Sequence, residues 1–268
     1  MLISFLQGEL NVVEFLTDML VSLPGIILAL TLHEAAHGYV AFRCGDPTAM
    51  RMGRVSLNPL RHLDPMGFLS MIAIGVGWAK PVPVNPNNFK KPRRDDLLVS
   101  MAGITANILQ FAVGIVIVMA FIGAALGAIP PENYAADGYF TISTSLRRYR
   151  MLPSEAYLYA ANMRLFLIEP VFGTVAGYVF EVFVNFAVTN VVLACFNLLP
   201  IPPLDGYHLF NDLIFKRQLF APVKAQRIGQ ALVLLLALTG MLSRGLSFVV
   251  NGAFEGAGML FSALFAVA

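Results

Sequence analysis

His33, Glu34 and His37 form a His-Glu-Ala-Ala-His run inside an apolar stretch from Leu20 to Phe42. Histidines four residues apart on a helix share a face, so both imidazoles can reach one metal ion. Glu34, beside the first histidine, is placed to take a proton from water at that metal. Three ionisable side chains in hydrocarbon are expensive unless they pair, coordinate a metal or line a wet cavity. The pattern points to metal-assisted hydrolysis at membrane depth.

Two imidazoles do not complete a catalytic zinc site, which usually has three protein ligands and an open position. Candidates for the third ligand are Glu181, Asp205 and His208, with His62 and Asp64 behind them. Asp205 ranks first. It follows an apolar segment that should end at the depth of His37, and the proline run before it breaks the helix and can aim its carboxylate inward. Gly206 then permits close backbone approach. The competing role for Asp205 is as N-cap of a helix starting at Gly206 or Tyr207.

The elements that must position these residues are membrane helices. The chain is 57% hydrophobic and 13% charged, against roughly 45–50% and 25% in soluble domains. It reads as an all-α polytopic membrane protein with about four to six transmembrane helices. A net charge of +2 gives no reason to expect a nucleic-acid partner. Cys44 and Cys195 are too few for a disulfide framework and read as small packing residues. Glu9, Glu14 and Asp18 make the N-terminus acidic, which argues against a cleaved signal peptide.

Residues 1–19 read as an interfacial amphipathic segment. Residues 20–210 read as the core, and 211–268 as C-terminal amphipathic and transmembrane helices. The expected spans are Leu20–Phe42, Leu97–Ile129, Val171–Leu199 and Ile228–Val250, with Gly256–Ala268 as part of a fifth. Gly45-Asp46-Pro47 should end the first. Gly67–Trp78 is too short to span, and the prolines at 81, 83 and 86 exclude a helix after it. Residues 67–86 are therefore expected to form a re-entrant extended loop, tolerated at depth only where it lines a cavity. Pro130–Pro170 is a long connection with an interfacial helix expected around Ser154–Phe166. A re-entrant loop puts 13 of the 18 lysines and arginines on one side and 5 on the other. The positive-inside rule makes the first side cytoplasmic and sets the His33–His37 end of its helix toward it.

Five elements occur in a set order: His33-Glu34-x-x-His37, Asn58 to Pro65, Gly77 to Val84, Gly103-x-x-x-Asn107, and Asn197 to Gly206 with its Leu-Asp-Gly. Over roughly residues 20–210 the chain resembles the site-2 protease family of intramembrane zinc metalloproteases, and within it the compact prokaryotic group without PDZ or CBS domains. The resemblance implies one zinc ion per chain on His33, His37 and Asp205, with Glu34 as general base. It implies that Asn107 binds the substrate or the oxyanion, with Asn197 assisting. It maps a pre-catalytic loop to about Gly67–Pro86, whose edge at Val82 and Val84 could pair with an extended substrate. The implied substrate is a transmembrane-helix protein in the cell membrane, cut in regulated intramembrane proteolysis. Ile104-Thr105 departs from the proline common there in the family, and the 130–170 connection is longer than that group suggests.

Plainer roles stand beside these. Asn107 and Asn197 could be helix–helix hydrogen bonds. His62 and Asp64 suit a turn before Pro65. Glu181 is either a gating or cavity group or a helix contact. Gly123-x-x-x-Gly127 signals close packing without establishing a dimer. The rival function is a membrane metal or ion transporter, which would also place His and Asp at depth.

Overall fold

A computed structural model describes residues 11–74, 77–128, 164–215 and 222–265. Among these, regular structure is entirely helical apart from one isolated bridge, Leu63 to Ala79. Three helices are long and apolar enough to cross a membrane: α1 (Val12–Cys44), α4 (Pro92–Ala128) and α6 (Thr174–Asn197). Between them lie α2 (Thr48–Arg51), α3 (Pro65–Ile74) and α5 (Glu169–Phe172). After α6 come α7 (Asp205–Phe210), α8 (Val223–Leu238) and α9 (Met241–Phe265).

The three long helices pack against one another. Their mutual approach uses small residues, as expected where lipid is as apolar as the packing side chains. A Cβ on Gly25 of α1 would lie 3.0 Å from the Phe186 Cα of α6, and one on Gly114 of α4 would lie 3.1 Å from the Ala187 Cβ. Ile115, Val118, Ile122 and Ala125 of α4 bury themselves against Phe180, Val184, Ala187 and Val188 of α6. Nearer the other end, Ile104, Ala194 and Leu209 join α4, α6 and α7.

Helix ends follow local chemistry. Gly45 stops α1 with φ +112°, and the bonds Gly45 N–H to Phe42 O and Asp46 N–H to Ala41 O close a Schellman motif. Asp46, fully buried, accepts from Thr48, from the Asn85 N–H and from Asn88 Nδ2, tying α1 to the chain beyond residue 84. Asp95 caps the Lys91 N–H where α4 begins, with Pro92 in the first helical position.

The loop between α1 and α4 returns to where it started. Lys80 N–H bonds His62 O at 2.8 Å beside the Leu63–Ala79 bridge, so the intervening chain leaves and comes back. Residues 65–74 are helical rather than extended, because the prolines that forbid a helix begin only at Pro81. Two further differences concern spans. Residues 12–19 continue into α1 as one helix, and the earlier part of the expected interfacial segment lies outside the described residues. The stretch Ile228–Val250 is broken into α8 and α9 at Gly240, with φ +70°. The expected helix at 154–166 falls almost wholly outside the described residues.

Candidate metal centre

His33 and His37 lie one turn apart on α1, and Asp205 is the first residue of α7. The structure brings these three together and holds both histidines buried. Their Nε2 atoms are 3.0 Å apart. Asp205 Oδ2 is 3.4 Å from His33 Nε2 and 3.2 Å from His37 Nε2. Tetrahedral zinc with bonds near 2.0–2.1 Å requires donors about 3.3 Å apart. The triangle has that edge length, and the donor set of two imidazoles and a carboxylate is one that zinc takes.

Asp205 does not cap its helix. Leu204 stands at the N-cap with no side-chain bond, and Asp205 Oδ2 has no hydrogen-bond partner. A buried carboxylate oxygen without a donor suits a cation. The close approach expected at Gly206 is present, since a Cβ there would lie 2.5 Å from backbone atoms of Leu198 and Leu199. That contact folds the Leu198–Leu204 turn under α6 and delivers the carboxylate to α1.

The histidines are oriented by α4. His37 Nδ1 sits 2.8 Å from Val99 O, which fixes the proton on Nδ1 and leaves Nε2 as the lone-pair donor. Gly103, one turn further along α4, makes this possible. A Cβ there would lie 2.7 Å from His33 Nδ1 and closer still to His33 Cε1 and His37 Nε2. Asn107, another turn along, is fully buried beside the His33 ring. Its Oδ1 accepts weakly from Gln110, and its Nδ2 has no partner. An orphan donor on this wall is what developing negative charge requires.

Glu34 lies within electrostatic reach of His37 and Asp205, and its Oε2 accepts the Val82 N–H at 2.9 Å. Gly38, one turn after Glu34, opens α1 to this loop: a Cβ there would meet Val55 and Val82 at 3.0 and 3.2 Å. Val82 is thus at the site, whereas Val84 packs toward Ala41, Cys44, Phe89 and Val99. Asn197 ends α6, half-buried, and no hydrogen bond among the described residues joins it to the trio.

The other candidate ligands point elsewhere. His208 Nδ1 is 3.5 Å from Asp96 Oδ2, and that bond holds the imidazole above its usual range. Next to them, burial and the Asp96 carboxylate push Asp212 up to about 6. Glu181 pairs with Arg164 at 3.0 Å, and Arg164 also reaches Glu169 and the Tyr178 ring. His62 bonds Ser56 O and Asp64 caps Gly67, so both tie down turns. The roles of Val99 O, Gly103 packing and Val82 N–H left little trace in the sequence; a glycine one turn before Asn107 is the single readable signal.

Residues 22–240 match the model of Peptidase family M50. The protein named Putative zinc metalloprotease YwhC of Bacillus subtilis strain 168 is 34% identical over 90% of this chain and 90% of its own length. Two proteins named Putative zinc metalloprotease Rip2 are more distant. That of Mycolicibacterium smegmatis is 26% identical over 88% of this chain and 74% of its own length. That of Mycobacterium tuberculosis strain H37Rv is 28% identical over 81% and 67%. No solved structure matches significantly.

Proposed function

The chain belongs to peptidase family M50, and from that premise we propose that His33, His37 and Asp205 hold one zinc ion per chain while Glu34 serves as general base. The protein is an intramembrane zinc metalloprotease, and the family match leaves the transport alternative without support. The observation that carries the residue assignment is the donor triangle, with edges of 3.0, 3.2 and 3.4 Å around a carboxylate oxygen that has no hydrogen-bond partner.

When bound, zinc supplies Lewis acidity toward a peptide carbonyl and toward water. Glu34 takes the proton of the attacking water and returns it to the leaving amine. Asn107 Nδ2 donates to the carbonyl oxygen as charge develops there. Val99 O keeps His37 in the tautomer that leaves Nε2 unprotonated. The substrate is a transmembrane helix that unwinds locally, since its peptide bonds are hydrogen-bonded internally until then. Val82 and Val84, on the returning loop, and Asn197 contact that unwound segment.

The catalytic core comprises residues 20–210, with 1–19 and 211–268 as flanks. The protein sits in the cell membrane with the site toward the cytoplasm, supported by the 13-to-5 division of basic residues.

The test pairs zinc content with cleavage of a spanning-helix substrate for wild type and Glu34→Gln. The proposal expects about one zinc in both and cleavage by wild type alone. Cleavage by the Glu34→Gln protein removes Glu34 from the base role. A wild type that binds no zinc removes the metal assignment.

A further inference from the structure

Arg54 is buried, yet forms no ion pair among the described residues. Burying a guanidinium without a carboxylate is unfavourable unless other acceptors meet it. Its acceptors here are two backbone carbonyls: Nη2 lies 2.6 Å from Lys80 O and 3.3 Å from Pro81 O. The arginine is itself anchored, its N–H bonding Ala49 O at 2.8 Å.

The second of those carbonyls matters most. Pro81 C=O and Val82 N–H are the two ends of one planar peptide unit. The N–H end donates to Glu34 Oε2 at 2.9 Å. A single peptide plane therefore runs from the Arg54 guanidinium to the Glu34 carboxylate. A cation at the carbonyl end polarises the unit and strengthens the bond at the other end. Planarity means the plane cannot turn at one end without turning at the other.

Few neighbouring donors compete with this link. Pro81 and Pro83 have no N–H, the Lys80 N–H is spent on His62 O, and the Asn85 N–H is spent on Asp46. Val82 offers the N–H on this loop that meets Glu34, and Arg54 is a side chain that donates to the carbonyl end of the same peptide.

We propose that Arg54 is a positioning residue for catalysis: it fixes and polarises the Pro81–Val82 peptide, whose N–H aims the Glu34 carboxylate. This rests on Glu34 being the base. Lysine cannot reproduce the function fully, because it presents a compact charge without the planar fork.

The experiment uses the full-length protein in proteoliposomes with a spanning-helix substrate, and compares wild type, Arg54→Ala, Arg54→Lys, Val82→Pro and Glu34→Gln. Misplacing a catalytic group by about 1 Å can cost on the order of a hundredfold in rate. The expected result is kcat lowered about 10–100-fold in Arg54→Ala and less in Arg54→Lys, with KM within about threefold and zinc content unchanged. Millimolar guanidinium should restore part of the Arg54→Ala kcat, which a purely structural loss would not allow. Val82→Pro deletes the same N–H, so Arg54→Lys combined with Val82→Pro should be no slower than the slower single variant. Arg54→Ala within twofold of wild-type kcat, or losses that multiply in the double variant, would overturn the proposal. If Arg54→Ala does not fold, Arg54→Lys decides: wild-type kcat overturns it, and a lowered kcat that does not multiply with Val82→Pro supports it. Failure of the base assignment is separable, since Glu34→Gln would then cleave whatever the Arg54 variants do.

Discussion

Replacing Gly103 by alanine adds one methyl group at the tightest point between α4 and the two histidines. The new Cβ would lie 2.7 Å from His33 Nδ1 and nearer to His33 Cε1 and His37 Nε2. Ordinary contact requires about 3.5 Å, so the overlap is about 0.8 Å or more. If α4 retreats by about 1 Å, the 2.8 Å contact between His37 Nδ1 and Val99 O stretches past hydrogen-bonding distance. If instead the rings swing aside, their Nε2 atoms leave the triangle with Asp205. Either way zinc affinity should fall about 10–100-fold, the usual consequence of losing the partner that orients a ligating histidine. Overpacking should cost about 1–3 kcal/mol of stability, partly offset by the roughly 1 kcal/mol by which alanine favours a helix over glycine. The assay is zinc retention against a graded competing chelator, read by elemental analysis, beside thermal unfolding in detergent. Gly127→Ala is the control, because the same helix leaves nothing within 4 Å of a Cβ there. A Gly103→Ala protein that holds zinc within threefold of wild type would refute the packing argument.

Asn107→Ala should lower kcat about 10²–10³-fold while zinc content stays at the wild-type level, since its unpaired Nδ2 donates only once charge develops; equal losses of zinc and of rate would assign it a structural role instead. Asp46 should make stability pH-dependent. Burial alone would raise its pKa, but the hydrogen bonds from Asn85, Thr48 and Asn88 outweigh it and hold the carboxyl below its ordinary value. The stabilisation is therefore complete above the unfolded-state pKa, about 3.9, and is lost as pH falls through the folded value. Asp46→Asn should cost about 1–3 kcal/mol at neutral pH, with the gap to wild type narrowing as the acid limit is approached. Melting temperatures of both proteins across that range check it, and a gap of constant size would contradict the assignment.

What the sequence disclosed was whatever side-chain type and helical spacing encode. His33 and His37 had to share a face once Leu20–Phe42 was helical, and the breaker run before Asp205 marked it as a carboxylate turned off a helix end. The rest was hidden for definite reasons. Val99 O and the Pro81–Val82 peptide act through backbone atoms, which every residue carries, so no residue type announces them. Arg54 looked like one more basic residue on a polar loop, because the groups that meet its guanidinium, Lys80 O and Pro81 O, are backbone carbonyls distant in the chain. The apolar run at 228–250 concealed its break, since Gly240 takes its positive φ after Thr239 has turned its hydroxyl back on Leu235 O and Leu236 O. Residues 65–74 became a helix because the one proline in this short apolar sequence, Pro65, stands at its first position, where a helix tolerates it.

The donor triangle draws two corners from the first long helix and the third from a short helix that follows the last, and α4 must lie between them to orient the rings. A chain still being inserted would own a pair of imidazoles and nothing else to hold an ion. Tight capture must then await the arrival of α7, the latest of these pieces to be synthesised. With the proposed ligand set, metal retention would report that synthesis has reached α7, and proteolytic competence would be withheld from every shorter chain in the bilayer.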